Sequence, residues 1–446
     1  SFLNQETAGY IRGKDAYQDE ALRKENPNPE AFRDAWSARA NIGFTKEWGE
    51  DNELTVRPYW RDNSMTFLQH YLPWQATETN QHQSFGLQLS ALGMTGSFQW
   101  LAGLDIDHTN GELLEVQAQF FSPNQPDGVH YDYTVDANTV AVFGSLRFSV
   151  KDRWQIGAGL RLEDTSFDYD NLTSSGSACS ISASNCRFYR PPDSENDFSD
   201  WSGNFSIGHY LNNLYFYSRA ARGFRAPQTT ELYRLQSGQI RADIDSEEIT
   251  SLEMGFRKSV SSGSYDLSLY WMNKENVIFQ DRNRFNVSGA ETIHRGLELT
   301  ASRQLSLIWS LQGNFNYAIH RYNNTISLIG SAGDIEGNAI DTAPRHFGSI
   351  QLIGDFSHQG YPITTELEWV WLSKYWLDAN NEHQYDGHDL LNLRASWKVT
   401  NKLEFSVVAT NLLDEDYAER ADFGFGSYRY FVGEPRSAVI GLTLAL

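Results

Sequence analysis

Residues 36–48 read WSARANIGFTKEW. Trp36, Ala38, Ala40, Ile42, Phe44 and Trp48 share one parity, interrupted only by Lys46, while Ser37, Arg39, Asn41, Gly43, Thr45 and Glu47 share the other. Side chains of an extended strand point alternately to opposite faces, so this stretch predicts a strand with one apolar and one polar side. The pattern returns in LLNLRASWKV (390–399), where Leu391, Leu393, Ala395, Trp397 and Val399 oppose Asn392, Arg394, Ser396 and Lys398. It returns again in YDLSLYW (265–271), IWSLQGNFNY (308–317) and VIGLTLAL (439–446).

A soluble sandwich and a membrane barrel both produce this alternation, because each has one apolar and one polar face. Three features favour the barrel. The runs are about 10 to 15 residues long, as tilted membrane strands require. Aromatics gather at the ends of the runs, in the manner of interfacial girdles. Connections alternate between very short and very long: short turns fall near 49, 94, 151, 211, 261, 358 and 400, and long loops over 11–36, 69–81, 109–135, 169–198, 223–246, 281–290, 323–340, 376–387 and 419–431.

Composition supports the same reading. Of 446 residues 14% are aromatic and 21% charged, and the mean hydropathy is −0.51. No apolar run approaches the roughly 18 residues of a membrane helix, whereas barrel strands need an apolar residue only at every second position. A net charge of −21 argues against nucleic acid as a partner. No Gly-x-Ser-x-Gly elbow, phosphate-binding Gly-rich loop or His-Glu-x-x-His site is present, so no enzyme is predicted, and no cofactor or metal site. Cys179 and Cys186, the only cysteines, flank a Ser/Asn-rich stretch; they read as a disulfide in an oxidising compartment, or else as two loop thiols.

Eighteen strands are predicted, over 1–10, 37–49, 53–68, 82–94, 97–108, 136–150, 153–168, 199–211, 212–222, 247–260, 264–280, 291–304, 306–322, 341–357, 361–375, 388–400, 402–418 and 432–446. An even count returns both chain ends to the short-turn rim.

Two segments carry a resemblance to a known family. LYFYSRAARGFRAPQTTELYR (214–234), with Glu253, Gly255 and Arg257 following, resembles the middle of the barrel of TonB-dependent outer-membrane receptors. The ending also resembles that family, through Asn411-Leu412-Leu413-Asp414, Tyr417, Gly433 and Pro435-Arg436. The resemblance implies an all-β transmembrane antiparallel barrel in the bacterial outer membrane, with 18 of an expected 22 strands in residues 1–446. A plug domain and four strands are then expected to be missing before Ser1. The terminal Leu446 departs from the aromatic residue usual at that position.

The resemblance further implies uptake of a scarce ligand, energised through the TonB complex and carried out by a monomer surrounded by outer-membrane lipid and lipopolysaccharide. A ferric siderophore or similar metal complex is the foremost ligand; cobalamin, other chelates and glycans remain open, as does a passive channel. Haem is disfavoured, because residues 223–246 hold neither a His nor an Asn-Pro motif. An anionic chelate calls for cations and aromatic rings at the mouth. The candidates are Arg219, Arg225, Tyr233, Arg234, Arg282, Arg284, Tyr375, Trp376, Tyr428 and Arg429. Parity places Arg219 and Arg225 on the lumen face and Arg222 at the lipid headgroups, although lumen arginines commonly pair with glutamates such as Glu253. His70, His130, His320 and His383 lie near loops and read as solvated.

Overall fold

In the computed structural model, described for residues 1–446 except 8, 152, 181–185, 237, 332 and 446, nineteen strand segments form one antiparallel sheet. Two of the segments, Phe32–Asn41 and Phe44–Trp48, pair with the same partner and are one strand broken at Ile42 and Gly43. The break lies opposite Pro58, which has no N–H to give the ladder. The sheet therefore has eighteen strands, as the alternation predicts.

In chain order they are β1 (Phe2–Glu6), β2 (the broken strand), β3 (Asn52–Leu68), β4 (Thr77–Thr95), β5 (Phe98–Gln117), β6 (Gly128–Val150), β7 (Trp154–Asn171), β8 (Ser194–Leu211) and β9 (Leu214–Arg225). There follow β10 (Glu247–Val260), β11 (Gly263–Gln280), β12 (Asn286–Gln304), β13 (Trp309–Tyr322), β14 (His346–His358), β15 (Tyr361–Trp376), β16 (Gln384–Lys398), β17 (Leu403–Thr410) and β18 (Ser437–Leu444). Registers run between sequence neighbours from β1 with β2 to β17 with β18. Among the described residues no register joins β18 to β1.

Several strands outrun their predicted limits at the long-loop rim. β4 begins at Thr77 rather than 82, β5 ends at Gln117 rather than 108, and β6 begins at Gly128 rather than 136. A 20-residue strand tilted by about 45° rises well past a lipid-facing band of about 25 Å. Above that band the outward face meets water, so the apolar alternation fades while the backbone ladder continues.

Other strands are shorter than predicted. β1 ends at Glu6, and β17 stops at Thr410 because Asn411 adopts a left-handed φ of 49°. β18 starts only at Ser437, since 432 belongs to a loop hairpin, Ala418–Gly424 with Ser427–Val432. Leu446 lies outside the described residues.

Phe85, Val142, Leu146, Leu160, Leu162, Phe205, Leu269 and Trp271 on the outer face are each 49–54% exposed. Such a band is costly in water and matches the hydrocarbon of a bilayer. The inner face is polar, with ion pairs such as Arg161 with Asp105 at 2.6 Å and Arg61 with Asp107 at 2.9 Å. The buried apolar clusters lie mainly at the loop rim, in three groups centred on Tyr169 and Tyr233, on Tyr385 and Tyr430, and on Ile326 and Ile335.

A loop-rim cavity as candidate ligand site

The site grows from the break after β9. Beyond Arg225, Ala226 and the buried Pro227 lead to Gln228, which caps the short helix α1 (Thr229–Tyr233). Glu231 accepts the Gln228 N–H at 2.7 Å, closing a capping box. Five residues form no stable helix alone, so tertiary contacts must hold it. Arg225 supplies them: Nη1 and Nη2 reach the Glu231 carboxylate at 2.8 and 3.0 Å, and Nε reaches Glu247 at 2.8 Å. Asn286 donates to the Glu231 carbonyl at 2.8 Å, and the Tyr131 hydroxyl to the Leu235 carbonyl at 2.7 Å.

The next residues turn inward. Tyr233 is buried, with its ring stacked 4.2 Å from that of Tyr169 and its hydroxyl on Asn196 at 3.0 Å. Arg234 sits between Glu78, at 3.0 Å, and Glu115. Burial alone would lower its pKa, but the two carboxylates outweigh this and raise it. Glu115 also meets His130 Nδ1 at 2.9 Å. His130 is fully buried and stacks on Phe188 at 3.6 Å, so the solvated reading of this histidine is corrected.

These groups wall a cavity of about 320 Å³, lined by Gln69, Trp74, Glu115, Tyr131, Arg187, Phe188, Arg234 and Gln280 among others. Arg187 is the cation that sequence reasoning missed. Its guanidinium lies 4.5 Å from the centre of the Trp74 ring and has no carboxylate of its own among the described residues. Burial, with repulsion from Arg284, lowers its pKa to about 10. Trp74 Nε1 and Gln69 Oε1, on the same wall, are buried without hydrogen-bond partners among the described residues. Arg187 follows directly on Cys186, which is joined to Cys179 by a disulfide with Cα atoms 5.7 Å apart. An arginine beside a loop cysteine was the available signal.

The other candidates separate by their partners. Arg219 lies on the lumen face opposite Glu253, is exposed, and makes no ion pair among the described residues; Glu253 instead accepts the Tyr217 hydroxyl at 2.6 Å. Arg222 faces outward, 4.2 Å over the Trp201 ring and paired with Glu248, as parity predicts. Arg282 donates to the Gly333 carbonyl at 3.0 Å, and Arg284 holds a turn with φ 68°.

Tyr375 is buried and its hydroxyl accepts the Ala421 N–H at 3.0 Å, while the Trp376 carbonyl accepts the Thr342 N–H at 2.7 Å. Tyr428 packs on Phe423 and His383, and Arg429 is bound to Asp422 and lies 4.8 Å over Tyr10. Tyr375 and Tyr428 belong to a second loop cluster, around Tyr385 and Tyr430, and none of these four lines the cavity. Of the ten candidates only Arg234 lines it.

An antiparallel sheet with a lipid-facing apolar band, a polar inner face and packed loops at one rim defines a bacterial outer-membrane β-barrel. The chain belongs to the TonB dependent receptor-like β-barrel family, whose model matches residues 3–412, and that family is one of transport receptors. The pesticin receptor of Yersinia pestis is 20% identical over 343 residues, covering 74% of this chain and 46% of that protein, so the chain spans about half its length. The ferric yersiniabactin uptake receptor from Yersinia pestis superposes with a TM-score of 0.80 at 16% identity, over 99% of this chain and 66% of that one. The ferric citrate transporter, in its unliganded form, gives 0.77 at 16% identity over the same shares. At these identities the two structures establish the fold alone.

Proposed function

We propose that residues 1–446 form one barrel domain of a receptor that captures an anionic organic metal complex, of the ferric siderophore type, for TonB-dependent uptake. The observation that carries this reading is Arg187: a largely buried cation on an aromatic wall, with no ion pair to a carboxylate among the described residues. Leaving a charge buried and unpaired is costly, so the arrangement favours a ligand that brings the missing negative charge. Trp74, Phe188 and Tyr131 offer ring faces for the organic rim of such a ligand, and Trp74 Nε1 offers a donor for an oxygen.

Ferric yersiniabactin and ferric citrate, named for the two structural relatives, define the class to try first.

The test titrates the intact receptor in detergent with ferric chelates of matched size but different charge, following quenching of tryptophan fluorescence. Tighter binding of the anionic members, weakened at least tenfold in Arg187→Gln, is expected. Equal affinity for neutral and anionic chelates would sink the reading.

A further inference from the structure

Away from the cavity, the lumen wall carries a row of soft and borderline ligands. His294 on β12 is directly opposite Met272 on β11 and His320 on β13, so the three side chains share the inner face of adjacent strands. The two imidazoles meet through Nδ1 of each, at 2.7 Å, and His294 Nε2 lies 2.9 Å from Thr292 Oγ1. A contact between two ring nitrogens at this distance needs one proton between them: two protonated nitrogens repel, and two bare lone pairs also repel. One donor nitrogen and one acceptor nitrogen thus converge on a single point.

We propose that His294 and His320 form a transition-metal site on the barrel wall, selective for copper, in which Cu²⁺ takes the place of the shared proton. Geometry selects the ion. Cis nitrogens at about 2.0 Å from a square-planar copper stand about 2.8 Å apart, whereas a tetrahedral zinc would hold them about 3.3 Å apart. The observed 2.7 Å lies close to the first value, and a rotation of each ring turns both lone pairs onto the ion.

Met272 adds a thioether on the same face, a donor that favours copper, in particular its reduced form. Lys274, on the same face of β11, is held by Glu247 at 2.7 Å, a carboxylate it shares with Arg225. Binding forms two N–Cu bonds and breaks the Nδ1–H bond of the donor ring, whose proton is taken up at Nε2 of the same ring, so both rings coordinate as neutral imidazoles; at His294 that Nε2 proton faces Thr292 Oγ1. Among the described residues no group of three or more His, Cys, Asp or Glu side chains is placed to hold a metal ion, so the pair depends on Met272 and solvent for its further ligands.

The experiment adds Cu²⁺ alone to the intact receptor, purified in detergent and stripped with chelator, and records binding by calorimetry and the copper EPR spectrum. One equivalent is expected to bind, with superhyperfine coupling to two imidazole nitrogens and with Zn²⁺ at least tenfold weaker. His294→Ala should lower Cu²⁺ affinity at least tenfold. His320→Gln, which keeps a hydrogen-bond partner for His294, should do the same and leave coupling to one nitrogen. Absence of Cu²⁺ binding by the unaltered receptor would overturn the proposal. So would an unchanged affinity and spectrum in His320→Gln protein that still runs as a folded, heat-modifiable band. Either result leaves the anion cavity unaffected.

Discussion

Arg225 grips Glu231 through two nitrogens, at 2.8 and 3.0 Å, while its third nitrogen holds Glu247 at 2.8 Å. One side chain thus ties α1 to the first residue of β10, across the 21 residues between the two strands. The side chain reaches the lumen face, as its parity predicts, but it is spent on this clamp.

Replacing Arg225 by Ala should free the loop without disturbing the barrel, whose registers are fixed by the ladder below. Arg225 is 37% exposed, and loss of this partly buried clamp costs about 1.5 kcal/mol, which is roughly tenfold in the population of the open loop. Trypsin cleavage after Arg241, an exposed residue of this loop, should accelerate by that order while the barrel keeps its heat-modifiable migration. Arg225→Lys should rescue little, because an ammonium cannot form the bidentate contact. Unchanged cleavage in Arg225→Ala would remove the clamp from the account.

Acid should open the same loop. Burial of Glu247 would raise its pKa, but hydrogen bonds from Arg225, Lys274 and the Ile278 N–H outweigh it and hold the group at about 2. A carboxylate whose folded pKa lies below its ordinary value of 4.5 contributes stability above pH 4.5. That contribution is lost as pH falls from about 4.5 toward 2. Pepsin cleavage within 226–246 is therefore expected to rise steeply across this window in the unaltered protein, and to be flatter in Glu247→Gln. Equal steepness in the two proteins would refute the assignment.

The sequence makes the sheet legible because a bilayer writes its thickness into the outer face. Every strand crossing the apolar band shows the period of two, and so eighteen strands can be counted before any coordinates are seen. Above the band the constraint vanishes, and β4, β5 and β6 run on without a signature.

The two family motifs are equally legible, and several of their residues hold the loops and turns together. Arg225 and Glu231 hold a helix. Asn411 donates to the Glu415 and Glu434 carbonyls at 2.9 and 3.1 Å, and a Cβ at Gly433 would lie 2.2 Å from the Tyr417 ring. Residues that recur for folding say little about ligand. Arg187 and Trp74 come from different loops, joined by no local pattern, and only tertiary packing brings them together.

Arg187 and Arg219 should separate by distance from the cavity. Both lack an ion pair among the described residues, but of the two only Arg187 lines the 320 Å³ space. A charge-assisted hydrogen bond contributes about 1.5–3 kcal/mol, so Arg187→Gln should weaken an anionic ferric chelate about ten- to a hundredfold, and Arg187→Glu should abolish its binding. Arg219→Gln should change this affinity less than threefold. Titration of the three variants by fluorescence quenching gives the order, and a larger loss in Arg219→Gln would move the site down the lumen.

Reduction of the disulfide should act on ligand and not on the barrel. Cys186 is bonded to Cys179 and immediately precedes Arg187 and Phe188, two walls of the cavity. Closing so short a loop restricts the open chain by about 2 kcal/mol, a local contribution far from the strand ladder. Besides the bridge, the segment is tied by the Arg187 N–H on the Asn124 carbonyl at 3.1 Å and the Tyr189 N–H on the Leu235 carbonyl at 3.0 Å, neither of which holds the Arg187 side chain itself. Cys179→Ser/Cys186→Ser protein is therefore expected to unfold at the same temperature as the unaltered barrel, while binding an anionic ferric chelate about tenfold more weakly. Dithiothreitol should reproduce the loss in the unaltered protein and have no effect on the double variant. An affinity that survives both treatments would show that Arg187 is positioned by packing on Trp74 and Asn124, without help from the bridge.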